Sequence, residues 1–200
     1  RLQLAGAEFD ERALRQELER QLAGADQDVM IRIEAADGSL KVTTGELPEH
    51  ALEDPELPVS VILCEVSGYA YPHKSTEREL HTELLAQATE VGAFEAVIHD
   101  EGQVIEGTRT NVFALLGDRL ITPPLGRCLP GVTRSVIAQV ADETGLHFQA
   151  APLSVDELLA ADEILLTNAL IGVRRVTRAG GAPVAGRAPA VRGELHAALL

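Results

Sequence analysis

Residues 94–122, FEAVIHDEGQVIEGTRTNVFALLGDRLIT, decide the fold. The apolar residues fall into four short runs, FEAVIHD, VIEG, TNVFALL and LIT. The breaks EGQ and GDR each carry a glycine that permits a tight turn. Short apolar runs divided by such turns predict two neighbouring β-hairpins. Downstream, TPPLGRCLPG reads as a loop. Val132, Val136, Ile137 and Val140 then line one face of a helix over 132–144, which Gly145 stops. Ser154 and Glu157 make a capping box for a short helix. EILLTNAL is an apolar strand, and GVRRVTRAGG is a strand and turn. Upstream, a helix over 76–91 places Leu80, Leu84, Leu85 and Ala88 on one face, and PVSVILCEV (58–66) is a buried strand. Residues 45–57, with Pro48 and Pro55 among acids and Pro58 next after them, read as a linker. Asp10 caps a helix over 11–23 that Gly24 ends. DVMIRIEA and SLKVTT form a hairpin about Asp37-Gly38. Hairpins beside helices, in mixed order, predict an α+β fold rather than a doubly wound sheet.

The composition narrows the function. The net charge is −14, with Lys and Arg scattered among more acids, so nucleic acid is not an expected partner. No run of about 18 apolar residues predicts a membrane span. The opening RLQLAGAEFDERALRQ is charged and amphipathic, unlike a signal peptide. Cys64 and Cys128 lie far apart and form no CxxC, which disfavours zinc and disulfides. These features point to the cytoplasm. Only two lysines occur, Lys41 and Lys74, so chemistry that needs an amine has two candidates.

Four positions carry candidate chemistry. Lys74, in YAYPHKSTEREL, lies between a proline-containing turn and a helix start. A lysine amine there can attack carbonyls, although most such lysines are solvated surface groups. Glu106 ends the strand VIEG; it is either a surface carboxylate or a partner for a cationic ring nitrogen. LPGVTR (129–134) opens a helix whose free N–H groups and Thr133 hydroxyl could hold a phosphate or serve as an ordinary cap. Thr167 and Asn168 close a buried strand. No GxSxG, P-loop, GxGxxG or HExxH occurs.

Taken in order, HKSTERE (73–79), AVIHDEGQVIEGTRTNVFAL (96–115), LITPPLGRCLPGVTR (120–134) and ADEILLTNALIGV (161–173) resemble the class IV aminotransferases, the fold type IV pyridoxal-phosphate enzymes. The resemblance extends from Arg1 to about Val176. It implies a small N-terminal α/β domain, truncated here to 1–66, a linker over 67–73, and a larger cofactor-binding domain over 74–200. Further small-domain sequence is expected before Arg1. It implies pyridoxal 5'-phosphate as cofactor, with Lys74 carrying it and moving the substrate proton. Glu106 would bind the ring nitrogen and Leu129 would pack near the ring. Arg1, Val132 and Thr133 would hold the phosphate, and Asn168 and Ala169 would supply a second phosphate-side loop. A small-molecule amino substrate and a homodimer are expected. Branched-chain enzymes carry a tyrosine where Glu79 stands and Gly-Thr-Ala where Asn168-Ala169-Leu170 stands. The Asn-Ala-Leu form is more similar to 4-amino-4-deoxychorismate lyases, so lyase-like chemistry leads. Branched-chain or D-amino-acid transamination is the alternative, and a degenerate, non-catalytic binding protein is the rival class.

Overall fold

The computed structural model describes residues 10–23, 26–36, 39–54 and 56–199. Arg1, the Gly24 stop and the Asp37-Gly38 turn lie outside them. The chain divides into two compact units, Arg1–Glu53 and Asp54–Leu200.

In the first unit, helix α1 (Glu11–Leu22) starts where the Asp10 carboxylate accepts from the backbone N–H groups of Arg12 and Ala13, at 2.9 and 3.3 Å. Strands β1 (Met30–Ala36) and β2 (Ser39–Gly45) pair antiparallel, with Ala36 opposite Ser39. The stretch read as a linker holds one helical turn, α2 (Glu49–Leu52), entered from Pro48.

The second unit is built on one sheet. Its elements are β3 (Val59–Glu65), α3 (Glu79–Glu90), β4 (Glu95–Asp100), β5 (Gln103–Gly107), β6 (Asn111–Leu116), β7 (Arg119–Thr122), α4 (Val132–Val140), β8 (His147–Ala150), α5 (Val155–Leu159), β9 (Glu163–Asn168), β10 (Gly172–Ala179), β11 (Ala182–Pro183) and α6 (Pro189–Ala197). The strands run β5-β4-β3-β10-β9-β6-β7-β8, with β11 beside β10. Both predicted hairpins are present, β4–β5 and β6–β7. Helix α3 is the crossover that parallel β3 and β4 require.

Several boundaries differ from the sequence reading. Strand β3, assigned to the small domain, lies in the second unit. It pairs parallel with both β4 and β10, a central position that suits its apolar run. The unit break therefore falls after Glu53 rather than at the 67–73 stretch. Helix α3 begins at Glu79 and buries His81, Leu84 and Ala88, whereas Leu80 is 38% exposed. Helix α4 stops at Val140, and a separate 3-10 turn, Asp142–Thr144, reaches Gly145 at φ +77°. Strand β8 and helix α6 were not anticipated.

The central strands are buried on both faces. On β9, Ile164 and Leu166 pack with Val61, Val97 and Leu158, while Leu165 packs with Phe113, Ile137 and Leu195. A third cluster joins Tyr69, Leu84, Ala88, Ile98, Ile105 and Cys128. Through Ile105 it includes β5. No described helix is long and apolar enough to cross a membrane.

Candidate active site

Glu106 owes its position to the β4–β5 hairpin. Glu101 and Gly102 turn the chain at positive φ, and a register shift between Ile98 and His99 sets Ile98 opposite Glu106. Glu106 is only 3% exposed. Its Oε1 accepts from the Tyr69 hydroxyl at 2.7 Å, and its Oε2 accepts from the Leu129 N–H at 2.9 Å. Burial pushes its pKa up to about 7, against the pull of these two donors and of Arg78. The Tyr69 oxygen also lies 2.9 Å from His81 Nε2 on α3.

The next turn of chain is held by a second buried acid. Glu95 accepts from the N–H groups of Ala96, Thr108 and Arg109 and from the hydroxyls of Thr108 and Thr110. Burial pushes its pKa up, while these donors and Arg109 draw it down. The TRT segment wraps closely around it: a Cβ on Gly107 would lie 2.2 Å from the Thr110 hydroxyl. The wrapping fixes the Arg109 carbonyl, which accepts from Asn168 Nδ2 at 3.0 Å. Asn168 Oδ1 in turn accepts from the N–H groups of Leu170 and Ile171, closing an Asx turn after β9.

Asn111 connects these parts. It stands opposite Thr167 in the β6–β9 register, and its Nδ2 donates to the Leu129 carbonyl at 2.8 Å. Leu129 thus joins Asn111 through its carbonyl and Glu106 through its N–H. Two residues on, Gly131 starts α4. A Cβ there would lie 2.1 Å from Asn111 Oδ1, so any larger residue would have to displace the Asn111 side chain. No side chain caps α4. The N–H groups of its first turn therefore lack the usual side-chain acceptor. Thr133 is buried in that turn, whereas Val132 is 76% exposed.

Lys74 is exposed and lies in irregular backbone between β3 and α3. Its neighbour Ser75 is clamped by Tyr71, whose hydroxyl accepts the Ser75 N–H at 2.7 Å and donates to the Ser75 carbonyl at 3.1 Å. The Tyr71 ring packs on the His81 ring at 4.4 Å, which leads through Tyr69 to Glu106. The structure thus links Glu106, Leu129, the start of α4 and Asn168, and it tethers the Lys74 segment to Glu106 through aromatic neighbours. Ala169 is exposed beside Asn168, and Arg1 lies outside the described residues. The sequence reading passed over Tyr69, His81, Glu95 and Asn111. The usable signals were a polar Asn opening an apolar strand and a His at helical spacing from Leu84 and Ala88.

Chemically, this donor set fits a phosphorylated pyridine ring. A buried carboxylate with lone pairs to spare suits a protonated ring nitrogen. An uncapped helix start suits a phosphate. An exposed amine suits a carbonyl.

Residues 2–179 match the family model for amino-transferase class IV. A D-alanine aminotransferase from Bacillus licheniformis is 36% identical over 104 residues, which are 52% of this chain and 37% of the relative. The chain thus spans well under half of that relative's length. A hypothetical aminotransferase from Mycobacterium tuberculosis, bound to alpha-ketoglutarate and PMP, superposes with a TM-score of 0.82 at 21% identity, over 94% of this chain and 73% of that one. A putative 4-amino-4-deoxychorismate lyase from Legionella pneumophila gives 0.76 at 22%, over 92% and 74%. Both show the same fold.

Proposed function

The chain belongs to the class IV aminotransferases, and on that premise we propose that it is a pyridoxal-phosphate enzyme acting on an amino substrate, in the first reading as a 4-amino-4-deoxychorismate lyase. The observation that carries the cofactor is Glu106, a buried carboxylate bonded through Leu129 to the loop that opens the uncapped helix α4. When bound, the cofactor withdraws electrons from the substrate's α-carbon. The chain's residues supply the rest. Glu106 keeps the ring nitrogen charged. The N–H groups of Val132 and Thr133, the Thr133 hydroxyl and the turn at Asn168 and Ala169 would hold the phosphate. Leu129 would lie on the ring side of the site. Lys74 would hold the cofactor through its Nζ and move the substrate's α-proton.

The lyase reading rests on the Asn168-Ala169-Leu170 turn, which Asn168 closes on its own backbone. A second reading, transamination of D-amino or branched-chain acids, is favoured by the match to the D-alanine aminotransferase. The full-length protein, incubated with 4-amino-4-deoxychorismate and no keto acid, should release 4-aminobenzoate. If it releases none, yet passes an amino group from D-alanine to a keto acid, the second reading replaces the first. A protein that neither turns over nor retains pyridoxal phosphate would be a binding relic of the family. We also propose a homodimer, which light scattering of the purified protein tests.

A further inference from the structure

Three buried polar side chains from three parts of the second unit form one hydrogen-bonded line. His81 on α3, Tyr69 after β3 and Glu106 on β5 are 5, 6 and 3% exposed. His81 Nε2 lies 2.9 Å from the Tyr69 oxygen, which lies 2.7 Å from Glu106 Oε1. A phenol has one hydrogen to give. If it goes to Glu106, the phenol oxygen must accept from His81, which is then the Nε2–H tautomer. If it goes to His81, Nε2 is bare, and Glu106 must be protonated to donate to Tyr69. Passing from the second arrangement to the first releases one proton. The carboxyl hydrogen moves to Tyr69, the phenol hydrogen moves to Nε2, and the Nδ1 hydrogen leaves.

Resting on the reading that Glu106 meets the ring nitrogen, we propose that His81 and Tyr69 are positioning residues that hold Glu106 as an anionic acceptor, with His81 acting through the single hydrogen of Tyr69. The surroundings favour that polarity. The Tyr71 ring packs on His81 at 4.4 Å and fixes its plane. Burial, then Arg78, pushes the His81 pKa down, which favours the neutral ring and leaves its tautomer as the variable. The other groups facing the line are Arg78, which favours the Glu106 carboxylate, Glu95, which opposes it, and Cys128, whose thiol burial and Glu106 together keep protonated. Leu129 N–H occupies Oε2, leaving Tyr69 to settle Oε1. This assigns a purpose to a histidine buried on a helix face that Leu84 and Ala88 otherwise make apolar.

The test reads the line directly in the full-length protein. Nitrogen-15 spectra of labelled histidine, with His81→Gln to assign the signal, should show Nε2–H above the Glu106 midpoint and Nδ1–H below it. A tautomer indifferent to the Glu106 titration overturns the proposal, and this measurement needs no substitution at Tyr69. Carboxyl carbon-13 titration should find Glu106 about tenfold more basic in Tyr69→Phe, because a hydrogen bond to its charged form is lost. His81→Leu should move it the same way. His81→Gln, which keeps an N–H donor, should restore it. Equal midpoints in the Leu and Gln variants overturn the role of His81. Added pyridoxal phosphate should lower the Glu106 midpoint. If it does so while Tyr69→Phe changes nothing, the relay is wrong and the site reading stands. If it leaves the midpoint unmoved while Tyr69→Phe shifts it, the site reading fails instead.

Discussion

Glu106 is 3% exposed and each of its oxygens accepts a hydrogen bond, whereas Lys74 is exposed in irregular backbone. The carboxylate is fixed by a hairpin, a loop amide and a tyrosine. The lysine segment is clamped by the Tyr71 hydroxyl, through two hydrogen bonds to Ser75. The contrast suits the two roles proposed above. A group that sets the charge of a ring must be dry and rigid, because its effect scales with the low dielectric around it. A group that is made and unmade at each turnover must be able to swing. One end of the site is therefore built into the sheet, and the other is carried on a connection.

The largest effect should come from the swinging end. Lys74→Ala should lower kcat by about 10³-fold or more, the range for losing a group that transfers the proton. Borohydride should then fix no cofactor to the protein. Stability should change by less than about 0.5 kcal/mol, as for most exposed positions. Thermal melts and peptide mapping check both halves. A lysine variant that unfolds, or that still traps the cofactor, breaks the contrast.

At the rigid end, Glu106→Gln should cost about 10²-fold in kcat, the scale of one misplaced electrostatic partner. It should also leave a pH signature without cofactor. The folded pKa, raised from the ordinary 4.5 to about 7, means the folded state holds the Glu106 proton more tightly than the unfolded chain does. That stability is fully present below about pH 4.5 and is lost as pH rises through about 7, a span on the order of 3 kcal/mol. Denaturant melts of the cofactor-free protein should show this fall, and Glu106→Gln should flatten it. A cationic ring nitrogen beside the carboxylate removes the reason for the rise, so the loaded protein should show a shallower slope.

Gly131→Ala tests the join between the rigid parts. Its φ is −64°, so the backbone permits alanine and only space forbids it. The new methyl would displace Asn111 and loosen the Leu129 carbonyl. A loss of about 1–3 kcal/mol is expected, typical of overpacking. Pyridoxal phosphate should also bind more weakly.

What was legible in advance follows the same division. The two hairpins stood out because their apolar runs are short and their turns carry Gly102 and Gly117, both at positive φ. Glu106 could be placed at a strand end, but its two donors come from residues 69 and 129, and no local pattern reports such contacts. His81 was hidden because Leu80 and Leu85 are the more apolar choices for the buried face of α3. Tertiary packing rotated that face by one residue and put the histidine inside. Strand β8 went unseen because only Phe148 of its four residues is even partly buried. Lys74 was proposed on other grounds: scarcity left two lysines, and the resemblance of HKSTERE (73–79) chose between them.

The smallest effect should come from the tether. Tyr71→Phe keeps the ring that packs on His81 and removes only the hydroxyl that clamps Ser75. These bonds are exposed, so water replaces them and stability should fall by about 1 kcal/mol or less. The Glu106 titration should stay where it is, because Tyr69 and Leu129 are untouched. Lys74 should lose some of its aim, which lowers kcat a few-fold with little change in cofactor affinity. Single-turnover kinetics beside equilibrium binding separates the two. Were the hydroxyl to matter as much for binding as for turnover, the lysine segment would be part of the rigid frame, and the division between a fixed carboxylate and a swinging amine would have to be redrawn.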